Sequence, residues 1–96
     1  MDRDTALKIL RAHFGELRLL GARSLSLFGS VAHNRATAQS DIDLLIDFDR
    51  PATFDAFMEA KEKLESWLGC RVDLVTRKAL RPSLRQAIEA EAVLVA

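Results

Sequence analysis

The stretch Ser24-Leu25-Ser26-Leu27-Phe28-Gly29-Ser30 is followed, after the ten residues Val31 to Ser40, by Asp41-Ile42-Asp43-Leu44-Leu45-Ile46-Asp47-Phe48, and this pair of segments decides how the chain folds. Ser24 to Phe28 alternates polar and apolar residues, as a short half-buried strand does, and Gly29-Ser30 ends it. Val31 to Asn34 suits one helical turn, and Arg35 to Ser40 a polar loop. Asp41 to Phe48 is the clearest strand. Ile42, Leu44, Ile46 and Phe48 fall on one face, with Asp41, Asp43, Leu45 and Asp47 on the other.

Outward from these strands, helical and extended patterns alternate. Leu7, Leu10, Phe14 and Leu17 recur at helical spacing, with Ile9 and Leu20 at the margins, and predict a helix over Asp4 to Leu20 with Asp4 as its N-cap. Gly21 breaks it. Arg50-Pro51 turns the chain, and Phe54, Phe57, Met58, Leu64 and Leu68 form the apolar stripe of a helix over Thr53 to Leu68. Glu59 and Lys63 are spaced for an i,i+4 ion pair, and Gly69 suits the residue that stops a helix. Arg71 to Thr76 is a third strand. Pro82 opens a last helix, Pro82 to Glu91, and Val93-Leu94-Val95 is a final short strand. The expected class is α/β, a small mixed β-sheet flanked by helices.

A chain of 96 residues suits a single domain, 1–96. Hydrophobic residues at 49% and charged residues at 29% are ordinary globular proportions and argue against disorder. Fourteen Lys and Arg balance fourteen Asp and Glu, so neither a nucleic-acid coat nor a polybasic membrane anchor is expected. The one cysteine, Cys70, allows no internal disulfide and no CxxC metal site, and it suits a reducing cytoplasm. Met1-Asp2-Arg3-Asp4 leads into no unbroken apolar run, so no signal peptide is expected, and no stretch approaches the length of a membrane span.

Chemistry gathers at three places: Gly29-Ser30 directly after a strand, Asp41-Ile42-Asp43 on the next, and Asp73 on the third. Residues i and i+2 of a strand share a face, with Cα atoms roughly 6–7 Å apart. Two carboxylates so held repel unless a cation lies between them, and a hard divalent metal turns the repulsion to use. Gly29 would let backbone approach a phosphate, and amides opening a helical turn, with the Ser30 hydroxyl, would bind its oxygens. Each feature alone has a plainer reading. Asp-x-Asp can be an acidic strand start, Gly-Ser an ordinary turn, and Asp73 an outer-face residue paired with Arg71. Their combination is rarer: Gly-Ser, ten residues, then Asp-x-Asp arises by chance in roughly one such chain in a thousand.

With Leu27-Phe28-Gly29-Ser30-Val31-Ala32, Ser40-Asp41-Ile42-Asp43-Leu44-Leu45-Ile46 and Arg71-Val72-Asp73-Leu74-Val75, the chain resembles the minimal nucleotidyltransferases of the DNA polymerase beta-like superfamily over nearly its whole length. The resemblance implies the polymerase beta-like nucleotidyltransferase fold. It implies that Asp41, Asp43 and Asp73 are catalytic and hold two Mg²⁺ ions, with Asp73 helping to deprotonate the attacking hydroxyl. It implies that Gly29 and Ser30 grip the β and γ phosphates of ATP. Stand-alone members of the family act as antitoxins whose partners are HEPN-domain toxins, neutralised by adenylylation of a tyrosine. The implied role is therefore transfer of AMP from ATP to a HEPN toxin in a type VII-like toxin–antitoxin module, in the cytoplasm, without direct nucleic-acid binding. A homo-oligomer, or a hetero-oligomer with the toxin, accords with the small core.

Where the family continues Gly-Ser-x-Ala with Arg-Gly, this chain has His33-Asn34. A permanent cation is replaced by an imidazole, with Arg35 a candidate to restore the charge. That departure motivates one alternative, an antitoxin that neutralises by binding alone; a second alternative, a nucleotidyltransferase acting on a small molecule, follows larger superfamily members, which carry an added acceptor-binding domain. Elsewhere, His13 reads as an edge histidine, Cys70 as a small packed residue, and Phe54, Phe57 and Trp67 as core, with Trp67 toward one side. Arg77, Lys78, Arg81 and Arg85 form a basic run that suits a solvated face or an acidic partner.

Overall fold

The computed structural model describes residues 1–33 and 41–96. Helix α1 (Arg3–Leu19) leads into β1 (Ala22–Phe28), a short helix α2 (Gly29–Ala32), β2 (Ile42–Phe48), α3 (Phe54–Leu68), β3 (Val72–Thr76), a 3₁₀ turn (Arg77–Ala79), α4 (Pro82–Glu91) and β4 (Val93–Leu94). The strands form one mixed sheet in the order β3-β2-β1-β4. β1 runs antiparallel to both β2 and β4, whereas β2 and β3, joined through α3, are parallel. This is the small mixed sheet with flanking helices that the sequence predicts. The turn expected over Val31 to Asn34 is found as Gly29–Ala32; Asn34, Arg35 and the rest of the polar loop lie outside the described residues.

The core lies between the sheet and helices α1 and α3. Leu25 and Leu27 from β1 and Ile42, Leu44 and Ile46 from β2 are buried against Leu10, Phe14 and Leu17 of α1 and Ala60, Leu64 and Leu68 of α3. The period of two on the strands meets the period near 3.6 on the helices, so each element buries one face.

Several local expectations change. Asp2, not Asp4, caps α1: its carboxylate accepts from the Thr5 backbone N–H at 2.7 Å, which leaves Asp4 inside the first turn. Thr53 is the cap of α3, accepting from Ala56 N–H at 3.1 Å. Phe54 leaves the core: it opens α3, beyond the part of the helix that packs on the sheet, and is 76% exposed. Lys63 meets Glu16 of α1 at 3.7 Å rather than Glu59, tying the two helices together. His13 stacks on Trp67 across the same helix pair, with ring centroids 4.8 Å apart and planes 13° from parallel. Gly69 ends α3 at φ +69°, a left-handed conformation that favours glycine.

The opposite face of the sheet is less open than its aspartates suggest. Leu45 and Asp47 are both buried there, Asp47 at 8% exposure. Arg23 and Arg77 flank the Asp47 carboxylate at 3.8 and 3.9 Å, and Arg77 also pairs with Glu89 of α4. A carboxylate can be buried at this depth because it is paired. No residue of α4 is itself buried, and its ion pairs reach Arg77 in the 3₁₀ turn and His33 after α2.

Candidate active site

The candidate site forms where the end of β1 meets the beginnings of β2 and β3. Antiparallel pairing sets Phe28 opposite Asp43, and parallel pairing sets Asp43 beside Asp73. Strand register alone therefore gathers three separated motifs at one end of the strands.

Gly29 is the closest neighbour of this centre. Its φ of +74° is left-handed, and a Cβ there would overlap Asp43 Oδ2 and lie 3.0 Å from Asp43 Cγ. Any side chain would need both a strained backbone and a displaced carboxylate, so the chain needs glycine here for two independent reasons. The β1 strand turns at Phe28, an N-cap without a side-chain hydrogen bond, directly into α2, whose Val31 and Ala32 are buried. Ser30 thus sits in the first turn of an anchored helical segment beside Asp43.

Asp43 is half-buried, and burial pushes its pKa above the ordinary carboxylate range; the Asp73 charge, a hydrogen bond with Asp73 and the Asp41 charge push the same way. Asp73 is exposed and belongs with Asp43, not with Arg71. Asp41 is exposed immediately before β2, near enough to act on Asp43. Among the described residues, no three His, Cys, Asp or Glu side chains close into a ready metal-ligand set. Asp73 is the nearer carboxylate to act on Asp43, and Asp41 stands at the margin.

Glu65 was not singled out by the sequence reading. From α3 it accepts the Val72 backbone N–H at 2.9 Å, while Ile42 N–H bonds Arg71 C=O at 3.1 Å. These bonds fix the starts of β2 and β3, one residue before Asp43 and Asp73. No local pattern reveals this, because the contact joins a helix to the strand that follows it. His33 also has a partner: its Nε2 lies 3.4 Å from Glu91 Oε2 at the end of α4.

Residues 5–95 match the nucleotidyltransferase domain family, and the chain belongs to that family. A Thermococcus cleftensis relative named protein adenylyltransferase MntA is 40% identical over 88 residues, covering 91% of this chain and 89% of that one. A solved structure provisionally named a minimal nucleotidyltransferase superposes with a TM-score of 0.85 at 38% identity, covering 97% of this chain and 95% of the other. A more distant likeness, at 22% identity and TM-score 0.68, is to a chain from a complex of a tri-AMPylated Shewanella oneidensis HEPN toxin with its MNT antitoxin; it covers 94% of this chain and 71% of that one. The fold and enzyme class are those of a minimal nucleotidyltransferase, as the resemblance implied.

Proposed function

We propose that this chain transfers AMP from ATP to a tyrosine hydroxyl of a HEPN-family toxin and acts as the antitoxin of that pair, in a type VII-like module. The observation that carries this reading is the meeting of Gly29, Asp43 and Asp73 at one end of three adjacent strands, with glycine required by the position of Asp43 itself. The Thermococcus relative named an adenylyltransferase and the AMPylated toxin in the Shewanella complex support the donor and the kind of acceptor.

The mutual repulsion of Asp43 and Asp73, with Asp41 adding to it, suits a hard cation, and an all-carboxylate set suits Mg²⁺. Two Mg²⁺ ions held by Asp41, Asp43 and Asp73 would supply neutralisation of the triphosphate and of the attacking oxygen. The chain's own part follows from its geometry. Gly29 admits a phosphate close to the backbone, and the uncapped first turn of α2 with the Ser30 hydroxyl offers donors to the β and γ oxygens. Asp73, exposed at the site, takes the proton of the acceptor hydroxyl. The hydroxyl oxygen bonds to the α phosphorus, the bond to the bridging oxygen breaks, and pyrophosphate leaves.

Intact-mass measurement of purified chain, ATP, Mg²⁺ and the HEPN partner tests this. The partner is expected to gain one or more AMP units, and to gain none with an Asp41→Ala, Asp43→Ala double variant. A second reading, neutralisation by binding alone, is favoured by one observation. His33, which stands where the family carries arginine, is turned onto Glu91 rather than left free for phosphate. A stable complex with no mass change on the partner would select that reading.

A further inference from the structure

At the end of β2 away from Asp43 lies a cavity of about 500 Å³. Five strand steps separate Asp43 from Phe48, roughly 16 Å. The buried Ile46 and Phe48 belong to its lining, together with the half-buried Phe57, and Arg50, Phe54 and Lys78 are exposed there.

The charge of this lining is unbalanced. It holds three cations, Arg50, Arg77 and Lys78, and one carboxylate, Asp47. Asp47 is already satisfied by Arg23 and Arg77, and Arg77 by Glu89 as well. Arg50 and Lys78 have no ion pair among the described residues. A solvated basic face would account for these two cations. It does not account for Phe54, a phenyl ring 76% exposed beside them over an apolar hollow. Aromatic side chains and arginines around a desolvated pocket, with charge at the rim, are the make-up of a protein-binding hot spot.

We propose that this cavity is a second docking site for the protein acceptor, receiving an acidic segment that carries one apolar side chain. The segment's carboxylates meet Arg50 and Lys78, and its apolar side chain enters beside Phe54 and Phe57. The choice of occupant is one of charge complementarity: a lining with two surplus cations selects an acidic segment. A site so far from the reacting atoms adds to the binding of a macromolecule but not of a small acceptor. The proposal rests on the reading of the acceptor as a protein. Its consequence is specificity: the cavity lowers the KM for the partner without touching the chemical step.

The test uses the purified full chain and the purified HEPN partner, with Arg50→Glu/Lys78→Glu and Phe54→Ser variants checked for native circular dichroism. AMP transfer is measured against partner concentration, and partner affinity is measured without ATP. The charge reversal is expected to raise KM and Kd about tenfold with kcat unchanged, and to flatten their dependence on salt. Phe54→Ser is expected to raise both without changing the salt dependence. If the wild-type chain transfers nothing but the variants still weaken the complex tenfold, the docking site stands and the catalytic reading falls. KM and Kd within twofold of wild type in both variants would overturn the docking site whatever the activity. So would loss of self-association, or of ATP binding, as the only change in the variants, since the occupant would then be a second copy or the nucleotide.

Discussion

Gly29 and Asp43 constrain each other. The glycine is left-handed because β1 must turn at once into α2, and the space a Cβ would fill belongs to the Asp43 carboxylate. Gly29→Ala is expected to cost about 1–2 kcal/mol of stability from the backbone alone, and to lower AMP transfer further because Asp43 must move. Urea unfolding and a turnover assay on the same preparation separate the two effects. A smaller loss in urea than in activity marks displacement of the carboxylate.

Asp43 itself is held at a disadvantage. Burial, then the neighbouring Asp73, favour its protonated form in the folded chain. A carboxylate whose folded pKa is raised contributes its stability at acid pH and loses it as the pH rises through that raised value. Asp43→Asn is therefore expected to raise the Tm at neutral pH in EDTA while abolishing AMP transfer, with the gain vanishing at pH values below the ordinary carboxylate range. A Tm unchanged or lowered at neutral pH would show that the Asp43–Asp73 contact is not strained.

At the scale of elements, the sheet is firm where it carries the site and lightly covered where α4 lies. Leu25 and Leu27 of β1 and Leu44 to Ile46 of β2 are buried, and Glu65 fastens the start of β3 to α3. By contrast α4 buries none of its residues and is tied by Arg77–Glu89 and His33–Glu91. Local opening is easiest where few apolar contacts resist it. Amide hydrogen exchange is expected to be faster over Pro82–Glu91 than over α1 or α3. Protection of α4 equal to that of α3 would refute this. Because His33 borders the end of α2, the same tie links the turn that follows Gly29 to α4.

Over the whole molecule, the carboxylate edge and the basic cavity occupy opposite ends of β2, and the balanced net charge hides both. The fourteen cations and fourteen acids cancel in total, but Arg50 and Lys78 stand at one end and Asp41, Asp43 and Asp73 at the other. Any cation that binds only the folded edge must stabilise the fold, by about 1.4 kcal/mol at ten times its Kd. Titration of Mg²⁺ is accordingly expected to raise the Tm of the wild-type chain and to leave that of Asp43→Asn nearly unchanged. Equal shifts in the two proteins would place the cation elsewhere.

The sequence by itself determined the elements and their order. Apolar residues at periods of two and 3.6, the stops at Gly21 and Gly69, and the helix start at Pro82 are local signals that need no distant partner. It also marked Gly29, Ser30, Asp41, Asp43 and Asp73 as candidates, through spacing and through resemblance. What it did not contain was who meets whom across the fold. That Asp43 neighbours Asp73 is a fact of parallel register, and that Glu65 holds Val72, or Lys63 chooses Glu16 over Glu59, is a fact of helix packing. Phe54 fell outside the core for the same reason: periodicity gives the direction of a side chain, but only the packed neighbours decide whether anything covers it. Tertiary structure alone placed a glycine where a carboxylate leaves no room for a Cβ, because steric exclusion exists only between atoms the fold has already brought together.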